Sequence, residues 1–268
     1  PDDAKKTPKA QFQAVLDEYQ KAQQEFMQVY SKAKTDEERS KLFNDKYPQP
    51  SAYADRFMAI ADAAPDDPAA VDALVWCVQL ANGGPNALKA MVRLAQKHAD
   101  NAKLGTAVTG IAYSYAPAAE TLLRAVIEKN RDRTARGTAT LVLAQYLNRK
   151  IELIRALNEN DKRQGQFEQF LTTQGYDKDA IARLKTADST ALATEVESLF
   201  AKVEKEYGDV VAGRDTLGKL ATAELNEIRN LGVGKPSPEI SGADLDGKPF
   251  KLSDYKGKVV VVDFWGDW

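Results

Sequence analysis

The side chains of this chain that could do covalent chemistry are few, because it has one cysteine, Cys77, and one histidine, His98. Thiol–disulfide exchange needs a reactive thiolate and a second thiol close by, and a lone cysteine forms no internal disulfide. Cys77 lies in the apolar run Ala73-Leu-Val-Trp-Cys-Val-Gln-Leu80, which is typical of a buried helix. We therefore expect a small, inert hydrophobic side chain at this position rather than a nucleophile.

His98 follows Ala95-Gln-Lys at the end of a predicted helix, where an imidazole can interact with the last carbonyl groups. With no second histidine and no neighbouring cysteine, a metal site or a catalytic triad has no support. Asp66-Asp67 has the pattern of a helix cap rather than of an acid/base pair. The residues themselves therefore predict no catalytic group, no metal and no cofactor in this chain.

Composition narrows the classes of partner. The 37 basic and 39 acidic side chains give a net charge of −2, which argues against a nucleic-acid-binding protein. No apolar run approaches the roughly 18 residues of a membrane span. The polar start, residues 1–8 from Pro1, is the kind of sequence left by a removed signal peptide or by trimming of the chain, and both interpretations stay open.

Helical periodicity dominates residues 9–231. Apolar residues from Phe12 to Tyr30 recur at helical spacing and predict a long helix to about residue 33. Thr35 and Glu38 have the spacing of a capping box. From Pro50 the helices become rich in alanine, and Asp67-Pro68, Pro85 and Pro117 are each predicted to begin one. Further helices are predicted to about Leu157, over 189–207 and over 216–231.

Two of these segments align at an offset of 32 residues. In that register Met91 matches Leu123, Leu94 matches Val126, and Ala95 matches Ile127. Offsets in the thirties between helix pairs are typical of helical-hairpin repeats, which stack into extended arrays. The predicted fold class is therefore mainly α, with helical hairpins over about 50–160 or, as the alternative, an irregular helical bundle.

The pattern changes after residue 231. Two glycines and two prolines in 232–238 predict a linker between a helical domain, 1–231, and a second region, 239–268. Asp246-Gly247 predicts a hairpin turn. The four valines of 259–262 lack alternation, and we expect them to form a strand buried on both faces.

Four sequence motifs follow one another in this second region. They are Gly234-Lys-Pro-Ser-Pro-Glu-Ile240, Asp244-Leu-Asp-Gly-Lys-Pro-Phe250, Leu252-Ser-Asp-Tyr-Lys-Gly-Lys258 and the tail from Val259 to Trp268. In order and spacing they resemble the start of redoxin domains. They are most similar to the TlpA/ResA-like thiol–disulfide oxidoreductases of the thioredoxin-like superfamily, which also includes the AhpC/TSA proteins.

This resemblance implies an incomplete thioredoxin-like α/β domain. In the family, a Cys-x-x-Cys pair would follow the position of Trp268, so the chain as given is expected to lack the catalytic cysteines and to be inactive. Phe264, Trp265 and Trp268 would flank that pair, although the tryptophans could instead cap a sheet core. The family further implies protein thiols or disulfides as partners and an extracytoplasmic location. A peroxiredoxin is the alternative within the superfamily, and Trp265-Gly-Asp-Trp268 disfavours it.

A hypothesis of another class is that the helical domain is a scaffold that binds a protein client. The stacked hairpins would then present an extended concave surface. The predicted valine strand is expected to have a partner, because an unpaired apolar strand edge promotes aggregation. We expect it to be covered by the helical domain, paired with the hairpin over 243–252, or paired with a second copy of the chain through residues 258–265.

Overall fold

The computed structural model describes residues 6–80, 84–158, 164–232, 235–263 and 265. Within them the helices are α1 (Pro8–Tyr30), α2 (Asp36–Lys46), α3 (Pro50–Ala63), α4 (Pro68–Leu80), α5 (Pro85–Lys97), α6 (Leu104–Gly110), α7 (Pro117–Lys129), α8 (Arg133–Asn158), α9 (Gln164–Thr173), α10 (Lys178–Lys185), α11 (Ser189–Tyr207) and α12 (Leu217–Asn226). The strands are β1 (Val211–Ala212), β2 (Asp215–Thr216), β3 (Ser241–Ala243) and β4 (Pro249–Lys251). The predicted mainly-α fold is confirmed.

The chain divides into two compact units, Pro1–Thr222 and Ala223–Trp268. The first unit holds helices α1–α11 and the small antiparallel pair β1–β2. The second unit contains the antiparallel pair β3–β4. The predicted division at the 232–238 linker stays a prediction.

Helix starts follow local sequence signals. Thr35 caps α2, because its side chain accepts a hydrogen bond from the Glu38 backbone N–H at 3.2 Å. The Glu38 carboxylate in turn accepts from the Lys34 backbone N–H, one residue before the position expected for a capping box. Proline begins α3, α4, α5 and α7, where its missing N–H costs no intrahelical hydrogen bond.

The helices between residues 50 and 158 lie in two layers. Helices α3, α5 and α7 contact one another in series, and α4, α6 and α8 form a second series against them. Helix α1 packs on α3 and α4 through aromatic side chains, with the Phe12 and Phe57 ring centroids 5.3 Å apart and Tyr19 edge-on to Trp76 at 5.2 Å. These apolar contacts fix the order of the layers.

Five polar contacts in this region recur at a nearly constant separation of 31 or 30 residues. Four of them join neighbouring segments of the same layer, and the contact of Lys150 with Glu120 joins α8 to α7 across the layers. The contacts join Asn86 to Asp55, Arg93 to Asp62, Lys103 to Asp72, Asn130 to the Ala99 carbonyl, and Lys150 to Glu120.

The end of the first unit packs around the long helix α8. Its second half forms an apolar cluster with α9 and α10, built from Leu153, Ile154, Leu157, Leu171, Tyr176, Ile181 and Leu184. Its first half lies against α11. Gly137 permits this close approach, because a Cβ atom there would lie 2.9 Å from the Tyr207 ring.

Several features of this unit differ from expectation. The sequence predicted neither the short helix α6 nor the pair β1–β2, whose turn contains Gly213 with φ +67°. Both are too short for a periodic signal. None of the helices that the structure describes has the length and apolar character needed to cross a bilayer.

Candidate functional site

The region with redoxin-like motifs begins with the hairpin β3–β4, as Asp246-Gly247 predicted. The register pairs Ser241 with Lys251 and Ala243 with Pro249. Asp244 organises the turn, because its carboxylate accepts hydrogen bonds from the backbone N–H groups of Asp246 at 3.0 Å and Lys248 at 2.9 Å. Gly247 has φ +79°, a conformation that favours glycine. The motif Asp-Leu-Asp-Gly-Lys is therefore a turn-forming sequence.

The motif Leu-Ser-Asp-Tyr-Lys-Gly-Lys forms a single 3₁₀ turn, Leu252–Tyr255. Glu239 accepts from the Ser253 backbone N–H at 3.1 Å, and Asp254 accepts from the Lys251 N–H at 2.9 Å. Hydrogen bonds from the side chain and then the backbone of Ser253 lower the pKa of the Glu239 carboxyl. These two carboxylates therefore hold the turn through hydrogen bonds to the backbone.

The expected buried strand over 259–262 is not formed, and this prediction was wrong. Residues 259–263 are irregular, and Val259 and Val261 are 99% and 90% exposed. Among the described residues these valines pair with neither β3 nor β4, so the expected pairing with the hairpin over 243–252 is not formed. A strand buried on both faces needs hydrogen-bonded neighbours and covering layers, so the apolar run alone does not make one. Pairing with a second copy of the chain stays a prediction.

Of the three predicted flanking residues, Trp265 is described and is 85% exposed. Phe264 and Trp268 lie outside the described residues. An exposed indole leaves the flanking role of Trp265 open to test and gives no support to capping of a sheet core.

Cys77 lies in α4 of the first unit and is fully buried. Its thiol donates a hydrogen bond to the Ala54 carbonyl, with Sγ 3.7 Å from the oxygen. Burial, together with the nearby negative charge of Asp55, raises the pKa of the thiol to about 12. A thiol that stays protonated and out of reach cannot attack a disulfide, as the sequence predicted.

His98 lies directly after α5, and its backbone N–H donates to the Leu94 carbonyl at 3.0 Å. Burial and then the charge of Lys97 lower the pKa of its imidazole. Among the described residues there is no cluster of three histidine, cysteine or acidic side chains that could hold a metal ion.

The first unit also contains a groove that no sequence motif identified. It has a volume of about 870 Å³ and is lined by α3, α5, the start of α7 and the turn between α9 and α10. Its apolar surface is aliphatic and includes Met58, Leu88, Val92 and Pro117. A groove of this size falls in the range of ligand-binding sites.

Polar side chains border this groove, hereafter the α3–α5–α7 groove. Asp55 accepts from the Asn86 amide at 2.7 Å, and Asp62 is paired with Arg93. Lys89 lies between them on α5, and its side chain is exposed. The signal that could have identified the site is the 31-residue spacing, because it places Asp55 and Asp62 opposite Asn86 and Arg93.

Comparison with known proteins found a short similarity to thiol–disulfide oxidoreductases. The chain is 47% identical over 36 residues to thiol-disulfide oxidoreductase ResA of Bacillus anthracis, a stretch that covers 13% of this chain and 21% of the relative. It is 42% identical over 38 residues to the ResA protein of Geobacillus thermodenitrificans, covering 14% of this chain and 22% of the relative. The chain therefore spans about a fifth of the length of these curated relatives.

No protein-family model matches the chain, and no solved structure matches it. The similarity supports a thioredoxin-like relationship over a short stretch. It leaves the helical unit, which makes up most of the chain, to be interpreted from its own residues.

Proposed function

We propose that this chain is part of a thioredoxin-like thiol–disulfide oxidoreductase of the cell envelope, whose helical unit binds a protein client. The similarity of 47% over 36 residues to ResA proteins carries the redox part of the proposal. The ordered series of motifs from Gly234 to Trp268 supports it, because no single motif in that series would be specific. Protein thiols or disulfides are the proposed substrates, and the extracytoplasmic location is part of the same proposal.

The chemistry would come from a Cys-x-x-Cys pair after the position of Trp268. At a helix N-terminus the positive end of the helix dipole and free N–H groups lower the pKa of the first thiol. Its thiolate would attack a client disulfide, which breaks the client S–S bond, releases one client sulfur as a thiolate and forms a mixed disulfide. The second cysteine would then attack the mixed disulfide, forming the enzyme disulfide and releasing the other client sulfur as a thiolate. Trp265 and Trp268 would shape the surface beside these cysteines.

Insulin reduction with dithiothreitol tests the redox part. We expect the 268-residue chain to show no activity above that of its Cys77→Ser variant, because its one thiol is buried. The full gene product should carry Cys-x-x-Cys after Trp268 and reduce insulin, with loss of activity when the first of those cysteines becomes serine. Activity of the 268-residue chain, or a Pro-x-x-x-Thr-x-x-Cys segment typical of peroxiredoxins in the full product, would contradict the proposal.

The second candidate function is a non-catalytic scaffold. The α3–α5–α7 groove favours it, since a groove built on stacked helical hairpins is where such scaffolds bind extended partners. The repeat interpretation of residues 50–160 belongs to this proposal. A full gene product without a cysteine pair, but with a client bound by the helical unit, would favour the scaffold over the oxidoreductase.

A further inference from the structure

We propose that the α3–α5–α7 groove binds an acidic peptide segment, in which a glutamate or aspartate is flanked by apolar side chains. The proposal rests on the client-binding part of the proposed function and names the site and the chemistry of the client segment. It is independent of the redox chemistry, which belongs to the other unit of the chain.

The apolar lining supplies the surface for the flanking side chains. Val92 is 40% exposed and Leu88 is partly exposed, so both lose water when a ligand covers them. Burying such aliphatic surface stabilises a complex by about 25 cal/mol per Å² before the costs of association. None of the described residues that line the groove is aromatic, so they do not favour stacking with a flat ligand.

Unsatisfied donors border the groove and select for an anion. Lys89 makes no ion pair among the described residues. The Nη1 atom of Arg93 is covered and has no acceptor within the described part of the chain, whereas Nη2 is paired with Asp62. A covered N–H group without an acceptor is unfavourable, so a ligand carboxylate that accepts from Nη1 would be stabilised.

The positions of these two cations match a single carboxylate. Lys89 and Arg93 are one helical turn apart on α5, so their side chains lie on the same face. The carboxylates of the groove already have donors, because Asp55 accepts from Asn86 and Asp62 from Arg93. Among the described residues two carboxylates and two cations line the groove, so its net charge is zero, and the preference for a carboxylate rests on the unpaired donors of Lys89 and of Arg93 Nη1.

The polar groups also favour a peptide over a hydrocarbon chain. Asn86, Lys89 and Arg93 follow one another along α5 at intervals of about one turn, or 5.4 Å. A hydrocarbon chain would remove water from these groups without replacing their hydrogen bonds. A peptide backbone offers an N–H and a carbonyl at each residue, and the free oxygens of Asp55 and Asp62 can accept from such N–H groups.

The wall of the groove is fixed by a close backbone contact. Gly175, in the turn between α9 and α10, has φ +89°, and a Cβ atom there would lie 3.1 Å from the Leu88 side chain. The turn therefore packs directly on Leu88, so little ordering is needed when a ligand binds.

Fluorescence anisotropy with three pools of labelled heptapeptides tests the proposal on the 268-residue chain. The pools share randomised apolar positions and differ in the central residue, which is glutamate, glutamine or lysine. We expect the glutamate pool to bind about tenfold more tightly than the glutamine pool, as for loss of one charge-assisted hydrogen-bonded contact. The Lys89→Glu variant should lose this preference.

Lys97→Glu is the matched control, because Lys97 is exposed on the same helix but does not line the groove. It should keep the preference for glutamate. If Lys89→Glu alters the circular dichroism spectrum, Lys89→Met keeps the apolar stem of the side chain and removes only the charge.

Equal binding of the three pools, no binding of any pool at about 1 mM, or an unchanged preference in both Lys89 variants would overturn the groove proposal. Those results would leave the insulin assay unaffected, so they are distinguishable from failure of the redox proposal. Conversely, the two proposals would separate if the glutamate pool bound more tightly and the full gene product lacked a cysteine pair. That result would support the groove proposal and contradict the redox proposal.

Discussion

Valines in two regions of this chain have opposite environments. In α4, Val71 and Val78 are each 4% exposed, whereas Val259 and Val261 in the other unit are 99% and 90% exposed. Helix α4 satisfies its own backbone hydrogen bonds and contacts α1, α3, α5 and α6. A strand satisfies its backbone only through neighbouring strands, and the described residues provide none for 259–262. The fate of an apolar run therefore depends on its partners more than on its composition.

The largest effect that would test this contrast is expected at Phe57, which is fully buried between Phe12 and Trp76. Phe57→Ala should lower the free energy of unfolding by about 3–5 kcal/mol, because it leaves a cavity in the aromatic core. Urea unfolding followed by circular dichroism measures the change. Phe250→Ala, in the hairpin β3–β4, is the matched control and should cost less than about 0.5 kcal/mol. Equal losses of unfolding free energy from the two substitutions would contradict the difference in packing between the two regions.

An intermediate effect is expected at Glu120 on α7, which contacts Lys150 at 2.8 Å and Arg124 at 2.9 Å. Burial raises the pKa of the Glu120 carboxyl, but the hydrogen bonds and charges of Lys150 and Arg124 outweigh it, so the pKa is lowered overall. Glu120→Gln should cost about 1–2 kcal/mol at neutral pH, between the values for exposed and buried pairs.

The pH dependence of this loss has a definite sign. A carboxyl whose pKa is lower in the folded state stabilises the protein at pH values above its unfolded pKa, which is about 4.3 for glutamate. The advantage of the wild type over Glu120→Gln should therefore be constant near neutrality and shrink as the pH falls below that value. Urea unfolding from pH 7 to pH 3 measures it, with Glu128→Gln as an exposed control on the same helix. An advantage that grows in acid would show that the ion pairs do not lower this pKa.

The smallest effect is expected at Val261. Val261→Thr should change the free energy of unfolding by less than about 0.5 kcal/mol, because the side chain is already in water. Amides of residues 259–263 should exchange with solvent at nearly the rate of an unfolded peptide. Strong protection of these amides, above all if it grows with protein concentration, would indicate the strand pairing between copies that the sequence suggested.

Sequence reasoning worked where the signal was local. Thr35 and Asp67 cap their helices as predicted, Pro85 and Pro117 begin theirs, and Asp246-Gly247 makes the hairpin turn. Each of these depends on side chains within a few residues of one another.

It failed where the outcome depended on distant partners. The valine run has strand composition, but its environment is set by the presence or absence of neighbouring strands. The groove likewise depends on which side chains of α3 and α5 face each other across a separation of 31 residues. Lys89 carries no signature within its own helix that would distinguish it from Lys97, and only the packing separates the two.

The nearly constant separation between contacting helices has a kinetic consequence. Each of the five polar contacts with this separation closes a loop of 30 or 31 residues, so each can form before the far end of the chain is made. Chains whose contacts join residues close in sequence fold quickly, because forming each contact costs little loop-closure entropy. A nascent chain can therefore pack each helix of this region on those before it during synthesis, and the α3–α5–α7 groove is complete once the turn after α9 has been made.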